Sequence, residues 1–212
     1  MIYEVSNYDL KPGSMAEVEK RLQEAGERRK SHAGFAASFR TEIGPLEQVV
    51  QVWTFENKAE RERVVAAEAR EKAWPPEIDS SVLARHTHVL ESLPYSPALT
   101  AGKLGPFFEI RTYTYAPGKL PNMIENWEKA LPKRLSLSPL WLLGCSEGEG
   151  RNTWMHIWPY PTLNQRTDVR NHARDTGVWP PSVLAVKEGR QNFPLAKMEN
   201  KIVMPASFSP VQ

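Results

Sequence analysis

Trp74-Pro75-Pro76 returns 105 positions later as Trp179-Pro180-Pro181, and this recurrence decides how the whole chain is read. The same offset links Lys11-Pro12-Gly13 to Ala116-Pro117-Gly118, and Val52-Trp53 to Ile157-Trp158. Trp and Pro are uncommon residues, so three separated landmarks at one spacing mark a tandem repeat. The chain reads as two copies of one α+β unit.

Either copy gives the unit's elements. Residues 2–9 alternate and stop at Pro12-Gly13, a pair suited to the middle of a type II turn. Met15, Val18, Leu22 and Ala25 then fall at helical spacing, behind a capping-box pattern of Ser14 and Glu17. Copy two keeps that stripe as Leu120, Met123, Trp127 and Leu131, with Pro121 in the first turn, where a missing N–H costs little. Strands at about 34–42 and 47–55 flank Gly44-Pro45 as a hairpin. In copy two the turn becomes Gly148-Glu149-Gly150-Arg151-Asn152. Asn57 with Glu60, and Thr162 with Gln165, cap a second helix. In copy one it carries Val64, Val65 and Ala69 and stops before Trp74-Pro75-Pro76, which cannot continue it. A last strand is expected at about 81–92 and, interrupted by Gly189 and Pro194, at about 186–197.

The order β-α-β-β-α-β is the ferredoxin-like arrangement. It divides the chain into repeat 1 at 1–93, a Pro/Gly-rich linker at 94–106, repeat 2 at 107–205 and a tail at 206–212 expected to run over the surface. The first and third strands of each copy are expected to lie side by side and parallel at the sheet centre. Val50 and Val52 point one way on the third strand, Gln51, Trp53 and Phe55 the other. In copy two Met155 and Ile157 oppose His156, Trp158 and Tyr160. The aliphatic set is assigned to the helix side and the aromatic set to the open face. Packing the two open faces together would hide that aromatic surface. The expected fold is therefore α+β: tandem ferredoxin-like repeats packed sheet to sheet as an intramolecular dimeric α/β barrel. Pairing of such units into a homo-oligomer stays open.

Composition removes several functions. A formal charge of +2 with both signs interspersed offers no basic face for nucleic acid. No apolar run approaches the roughly 20 residues of a membrane span. The N-terminus is strand-like and lacks signal-peptide character, so a cytoplasmic protein is expected unless a targeting segment has been trimmed away. Cys145, the single cysteine, cannot form an intramolecular disulfide and is expected to be buried.

No phosphate loop, CxxC pair or HExxH motif is present. His86 and His88 share a strand face but lack a third ligand nearby, so no metal is assigned, and no cofactor either. Glu42 could meet Arg61 or Arg166, although solvated surface charge is the simpler reading. The Trp-Pro-Pro loops either plug the ends of a barrel or act as lids over pockets between sheet and helices.

The group that could carry chemistry lies in copy two. Glu109, Arg111 and Tyr113 share one face of the first strand, beside His156, Trp158 and Tyr160 on the third. Enclosed together, they could bind an anionic or carbonyl-bearing small molecule, with His156 as a base and Arg111 holding a carboxylate or enolate. In that reading His156 and Arg111 are the catalytic candidates, and Glu109, Tyr113, Trp158 and Tyr160 bind the ligand. The competing reading is a structural ion pair of Glu109 with Arg111.

Several stretches resemble the NIPSNAP family: Phe108-Glu109-Ile110-Arg111-Thr112-Tyr113-Thr114 with Pro117-Gly118; Thr41-Glu42-Ile43-Gly44-Pro45-Leu46 with Val49-Val50-Gln51-Val52-Trp53; and His156-Ile157-Trp158. The resemblance covers nearly the whole chain as two NIPSNAP-like domains. It implies a dimeric α/β-barrel, ferredoxin-like fold and undefined activity; the mitochondrial, vesicle-traffic and mitophagy roles linked to animal relatives are not carried onto this chain. Ser6 stands where copy two has Arg111, and Gln51 where it has His156, which suggests that any site is no longer duplicated. Two functions remain open: a barrel that binds a small carbonyl or aromatic molecule, with or without turnover, and a non-enzymatic scaffold or adaptor acting through its interfaces. A haem-binding variant is a distant third, because no His has a context that favours axial ligation.

Overall fold

The computed structural model describes residues 1–147, 152–192 and 195–212. The elements run β1 (Ile2–Leu10), α1 (Met15–Arg29), β2 (Gly34–Ile43), β3 (Gln48–Phe55), α2 (Lys58–Glu71) and β4 (Val82–Ser92). The second copy follows as β5 (Phe107–Thr114), α3 (Leu120–Leu135), β6 (Leu142–Ser146), β7 (Thr153–Tyr160), α4 (Leu163–Asp175), α5 (Pro181–Lys187) and β8 (Lys197–Pro205). Met1–Ser92, Thr100–Lys103 and Lys201–Gln212 form one compact unit; Leu93–Leu99 and Leu104–Asn200 form the other. None of the described helices is long and apolar enough to cross a membrane.

In the first unit β1 lies between β4 and β3, with Val5 opposite His88 on one side and Val52 on the other. Both pairings are antiparallel, which corrects the expected parallel centre. The crossover through α1 returns β2 in the direction of β1, and the hairpin then reverses β3. β2 pairs with β3 and with the end of β8, where Thr41 faces Val203. In the second unit β7 pairs antiparallel with β5 and with β6, setting Glu109 opposite Trp158 and Arg111 opposite His156.

Local signals were legible in the sequence to different degrees. Gly13 and Gly118 adopt φ of +82° and +73°, as the third position of a type II turn requires. Asn57 accepts from the Glu60 N–H at 2.9 Å and Thr162 from the Gln165 N–H at 3.0 Å, closing the first turns of α2 and α4. Ser14 makes no such side-chain bond, so the expected box at α1 does not form. The copy-two hairpin residues Gly148 to Arg151, and Pro194, lie outside the described residues.

Two expectations about the end of the chain are corrected. In place of a strand at 186–197, Pro181 opens helix α5, which buries Leu184 and Ala185, and the strand comes later as β8. The segment after Pro205 is not laid over the surface. Ser209 Oγ accepts from the Ser38 N–H at 3.0 Å, Gly102 exchanges backbone bonds with Pro210 and Gln212, and Ala206 and Val211 are fully buried.

The largest correction concerns the faces of the strands. Trp53 and Phe55 pack with Val18, Leu22 and Ala25 of α1 and Val64 of α2, so the aromatic set lies under the helices. Trp158 and Tyr160 likewise pack with Trp127 and Leu131 of α3. Val50, Val52 and Ile157 are fully buried on the opposite face. Gly26 of α1 faces the Trp53 ring: a Cβ added there would stand in ordinary van der Waals contact with it, at 3.6 Å. Trp74 meets Trp53 at 5.3 Å between ring centroids, which places the Trp-Pro-Pro loop between sheet and helices and not at an end.

Gly105 leads into β5 at φ +133°, and a Cβ there would lie 2.5 Å from the Tyr160 carbonyl oxygen. Gly118, at φ +73°, has nothing within 4 Å of the same added atom. Gly105→Ala is expected to cost more than about 1 kcal/mol beyond any loss in Gly118→Ala, read as the difference in urea-unfolding free energy; equal losses would contradict the backbone clash.

Candidate functional site

Alternation along β5 and the antiparallel register of β7 put Glu109, Arg111, Tyr113, His156, Trp158 and Tyr160 on one sheet face. The structure brings all six together, in the layer beneath α3 and α4 and not on the open face first expected. Glu109 is completely buried, and four side chains converge on its carboxylate: Arg111 at 2.8 Å, Arg166 at 2.5 Å, Asn200 at 3.3 Å and Arg170 at 3.5 Å. Burial works against the charged carboxylate, but the Arg166 hydrogen bond and the charges of Arg111 and Arg170 outweigh it and hold its pKa below the ordinary value. Arg111 also donates from Nε to the Tyr113 hydroxyl at 2.7 Å.

Arg134 reaches the same layer from the end of α3. Its guanidinium lies 4.2 Å from the centroid of the Trp158 ring and donates to Ser138 at 2.7 Å and Tyr160 at 3.0 Å. It is 2 % exposed and, among the described residues, forms no ion pair. Burial lowers its pKa despite the Tyr160 contact, and burial does the same at Arg170 despite Glu109.

His156 has a fixed tautomer. Trp158 Nε1 donates to His156 Nδ1 at 2.5 Å, so the proton of the neutral ring sits on Nε2, which finds no partner among the described residues. Its ring meets Trp127 at 4.7 Å and Tyr113 at 5.0 Å, both edge to face. Burial first, then the charges of Arg111, Arg170 and Arg134, drive its pKa well below the ordinary histidine value. The imidazole is therefore a neutral hydrogen-bond donor.

Next to this layer is a cavity of about 320 Å³, walled by Tyr113, Met123, Trp127, Trp179, Pro180 and Leu195. Trp179, at the Trp-Pro-Pro loop, stands 4.8 Å from Trp127 and 5.9 Å from Trp158. Helix α5 begins at the cavity with Pro181 and Ser182, so the element that displaced the expected strand forms part of its wall.

The first unit builds the same scaffold with different charges. Glu4 accepts from Arg29 at 2.9 Å and Arg61 at 2.8 Å, and Arg29 lies 4.7 Å from both the Trp53 and Trp74 rings. Arg29 donates to Glu68 at 2.7 and 3.2 Å, giving two guanidinium groups and two carboxylates. Gln51 receives the Trp53 indole N–H at 3.2 Å, the part His156 plays in copy two. Arg61 and Arg166 thus bind buried carboxylates and not Glu42, which is exposed. Sequence reasoning missed Arg134 and Arg170 and gave Arg166 the wrong partner, although Arg29/Arg134 and Arg61/Arg166 obey the 105 offset that set the repeat.

His86 and His88 stand on β4 opposite Asn7 and Val5. No group of three or more His, Cys, Asp or Glu able to hold a metal occurs among the described residues.

The sequence profile of NIPSNAP matches residues 3–97 and 108–210. Human NipSnap homolog 3A is 25% identical over 219 residues, spanning 100% of this chain and 86% of that protein. Human NipSnap homolog 3B is 26% identical over 217 residues, spanning 99% and 85%. A Lactobacillus acidophilus structure, described provisionally as a monooxygenase, matches 96% of this chain and 93% of its own at a TM-score of 0.63 with 10% identity, a likeness of fold alone.

Because the folded state keeps His156 neutral, its contribution to stability is complete above the ordinary histidine pKa of about 6.5 and is lost as pH falls from there toward the folded value. His156→Gln copies the arrangement at Gln51 and keeps an acceptor for Trp158. Its unfolding free energy should fall less than the wild type's between about pH 7 and about pH 5, by up to about 1.4 kcal/mol per pH unit. Identical pH profiles in urea unfolding would remove His156 from this role.

Proposed function

The chain belongs to the NIPSNAP family, and from that premise we propose that its second unit binds a small aromatic or carbonyl-bearing molecule between β5–β7 and the helices α3–α5. One observation carries the reading: a cavity of about 320 Å³ walled by Tyr113, Trp127 and Trp179, with His156 behind two of those rings. Its size falls at the lower end of small-molecule sites, about 300–1,000 Å³, and its lining is of the apolar, aromatic kind such sites use. The rings suit a flat ligand, for which stacking and edge contacts add about 0.5–1.5 kcal/mol per pair beyond burial.

Named roles follow from the geometry. Trp158 and Tyr160 fix Arg134 and His156 from below, and Glu109 with Tyr113 aims Arg111. His156 backs the Tyr113 and Trp127 rings and Arg111 holds the Tyr113 hydroxyl, so each would act on a bound carbonyl through the wall residue it contacts. Proton abstraction at His156 would first require Nδ1 to be released from Trp158, so binding and polarisation are the roles assigned. We place this binder in the cytoplasm, since a chain with one buried cysteine needs no oxidising compartment to fold.

Benzamide, flat and bearing one carbonyl, is the probe. It should raise the melting temperature saturably and appear as a one-to-one adduct in native mass spectrometry. Met123→Trp, which adds bulk at a half-buried wall position, should fold normally and abolish both effects. No adduct up to tens of millimolar, or binding unchanged in Met123→Trp, would return the chain to the reading in which its interfaces are the function.

A further inference from the structure

We infer that the ligand of the second unit is an organic carboxylate, whose negative charge takes the place of the carboxylate that copy one has at Glu68 and copy two lacks. This rests on the binding proposed above and gives it a charge and a chemical class. The observation is a difference between two copies of one scaffold. In the first unit Arg29 and Arg61 face Glu4 and Glu68, so the buried charges balance. At the matching positions the second unit keeps Arg134, Arg166 and Glu109, but Glu68 becomes Ala173, which is completely buried. Ser6 becomes Arg111 and Val65 becomes Arg170. Three guanidinium groups then converge on the single carboxylate of Glu109, and a fourth, Arg134, lies in the same layer without an acidic partner among the described residues.

Two further replacements show what the protein supplies in its place. Phe55 becomes Tyr160 and Ala33 becomes Ser138, and the hydroxyls of Tyr160 and Ser138 accept from Arg134. Hydroxyls satisfy hydrogen bonds but bring no charge. The side chains of Arg134 and Arg111 are only 2 % and 12 % exposed, so water screens their repulsion poorly. Glu109 cannot neutralise the surplus, because Arg111, Arg166, Arg170 and Asn200 already occupy its oxygens. A planar carboxylate suits such a set, since guanidinium forks bind it in parallel pairs of charge-assisted bonds.

The charged layer and the aromatic cavity adjoin at Tyr113, whose hydroxyl receives Arg111 and whose ring walls the cavity. Trp179 joins them again, as a cavity wall 6.0 Å from the Arg134 guanidinium. A small aromatic carboxylate would place its ring among Trp127, Tyr113 and Trp179 and turn its acid group toward the side of the cavity where Arg111 meets Tyr113 and Arg134 approaches Trp179. The first unit, balanced by Glu68, has no such need.

Benzoate and benzamide differ at the acid group and share the ring, so they separate this inference from the binding it rests on. Titrations followed by native mass spectrometry and thermal unfolding, at ionic strength matched with sodium chloride, should show benzoate binding at least about tenfold more tightly than benzamide. Benzamide binding as well as benzoate or better would overturn the carboxylate and leave the cavity reading intact. Failure of both probes would overturn both, and stabilisation reproduced by sodium chloride alone would reduce the effect to screening. Ala173→Glu restores the copy-one residue; it should raise the melting temperature without ligand and erase the preference for benzoate. Arg170→Val, again the copy-one residue and at a partly exposed position, should cut the preference several-fold even where Ala173→Glu fails to fold. A preference unchanged in Arg170→Val would overturn the inference.

Discussion

In each unit a buried arginine at the end of the first helix lies against the tryptophan of the third strand of its copy: Arg29 on Trp53 and Arg134 on Trp158. The packing of helices on strands in this chain depends on these contacts. A guanidinium over an indole is worth about 0.5–2 kcal/mol, more when water is excluded. The cation must also be satisfied at its edges, because a desolvated charge without partners is strongly destabilising. Copy one meets that demand with Glu4 and Glu68, and copy two with Tyr160 and Ser138. The other polar groups of each layer, Gln51 in copy one and Glu109, Arg166 and His156 in copy two, belong to their own unit's pair.

That constraint explains why the aromatic set faces the helices. A stacked cation arriving from α1 or α3 needs its ring on the side those helices cover. In copy one Phe35 and Trp74 close the stack, at 4.8 and 5.3 Å from the Trp53 ring. The valines and isoleucine of the other face are shorter and carry no polar atoms that must find partners.

Divergence between the copies extends into this layer. Glu4/Glu109, Arg29/Arg134, Trp53/Trp158 and Arg61/Arg166 agree at one offset, whereas Ser6/Arg111, Gln51/His156, Val65/Arg170 and Glu68/Ala173 all differ and all alter charge or hydrogen bonding. Helix α5, which has no counterpart in copy one, supplies part of the wall of the cavity beside the altered layer. With Phe55/Tyr160 and Ala33/Ser138, six substitutions and one added element bear on this layer and the cavity beside it. The altered charge beside a cavity makes the second unit the one to test for a ligand. The membership of the chain in the NIPSNAP family sets the frame but specifies no chemistry.

The sequence alone determined the tandem repeat, the order of elements in copy one, the capped starts of α2 and α4 and the six residues that share a face in copy two, but not helix α5. Those features depend on local spacing: rare residues at a fixed offset, alternation along a strand, and a side chain reaching a backbone N–H three residues on. Alternation defines two faces but does not label them, so only the tertiary structure decided that the aromatic one lies under the helices. The same limit hid the roles of Arg134, Arg166 and Arg170, which reach Glu109 and its neighbours from two helices at separations of 25 to 61 residues. Their convergence depends on how α3 and α4 pack on β5 and β7, and a one-dimensional pattern does not carry that information.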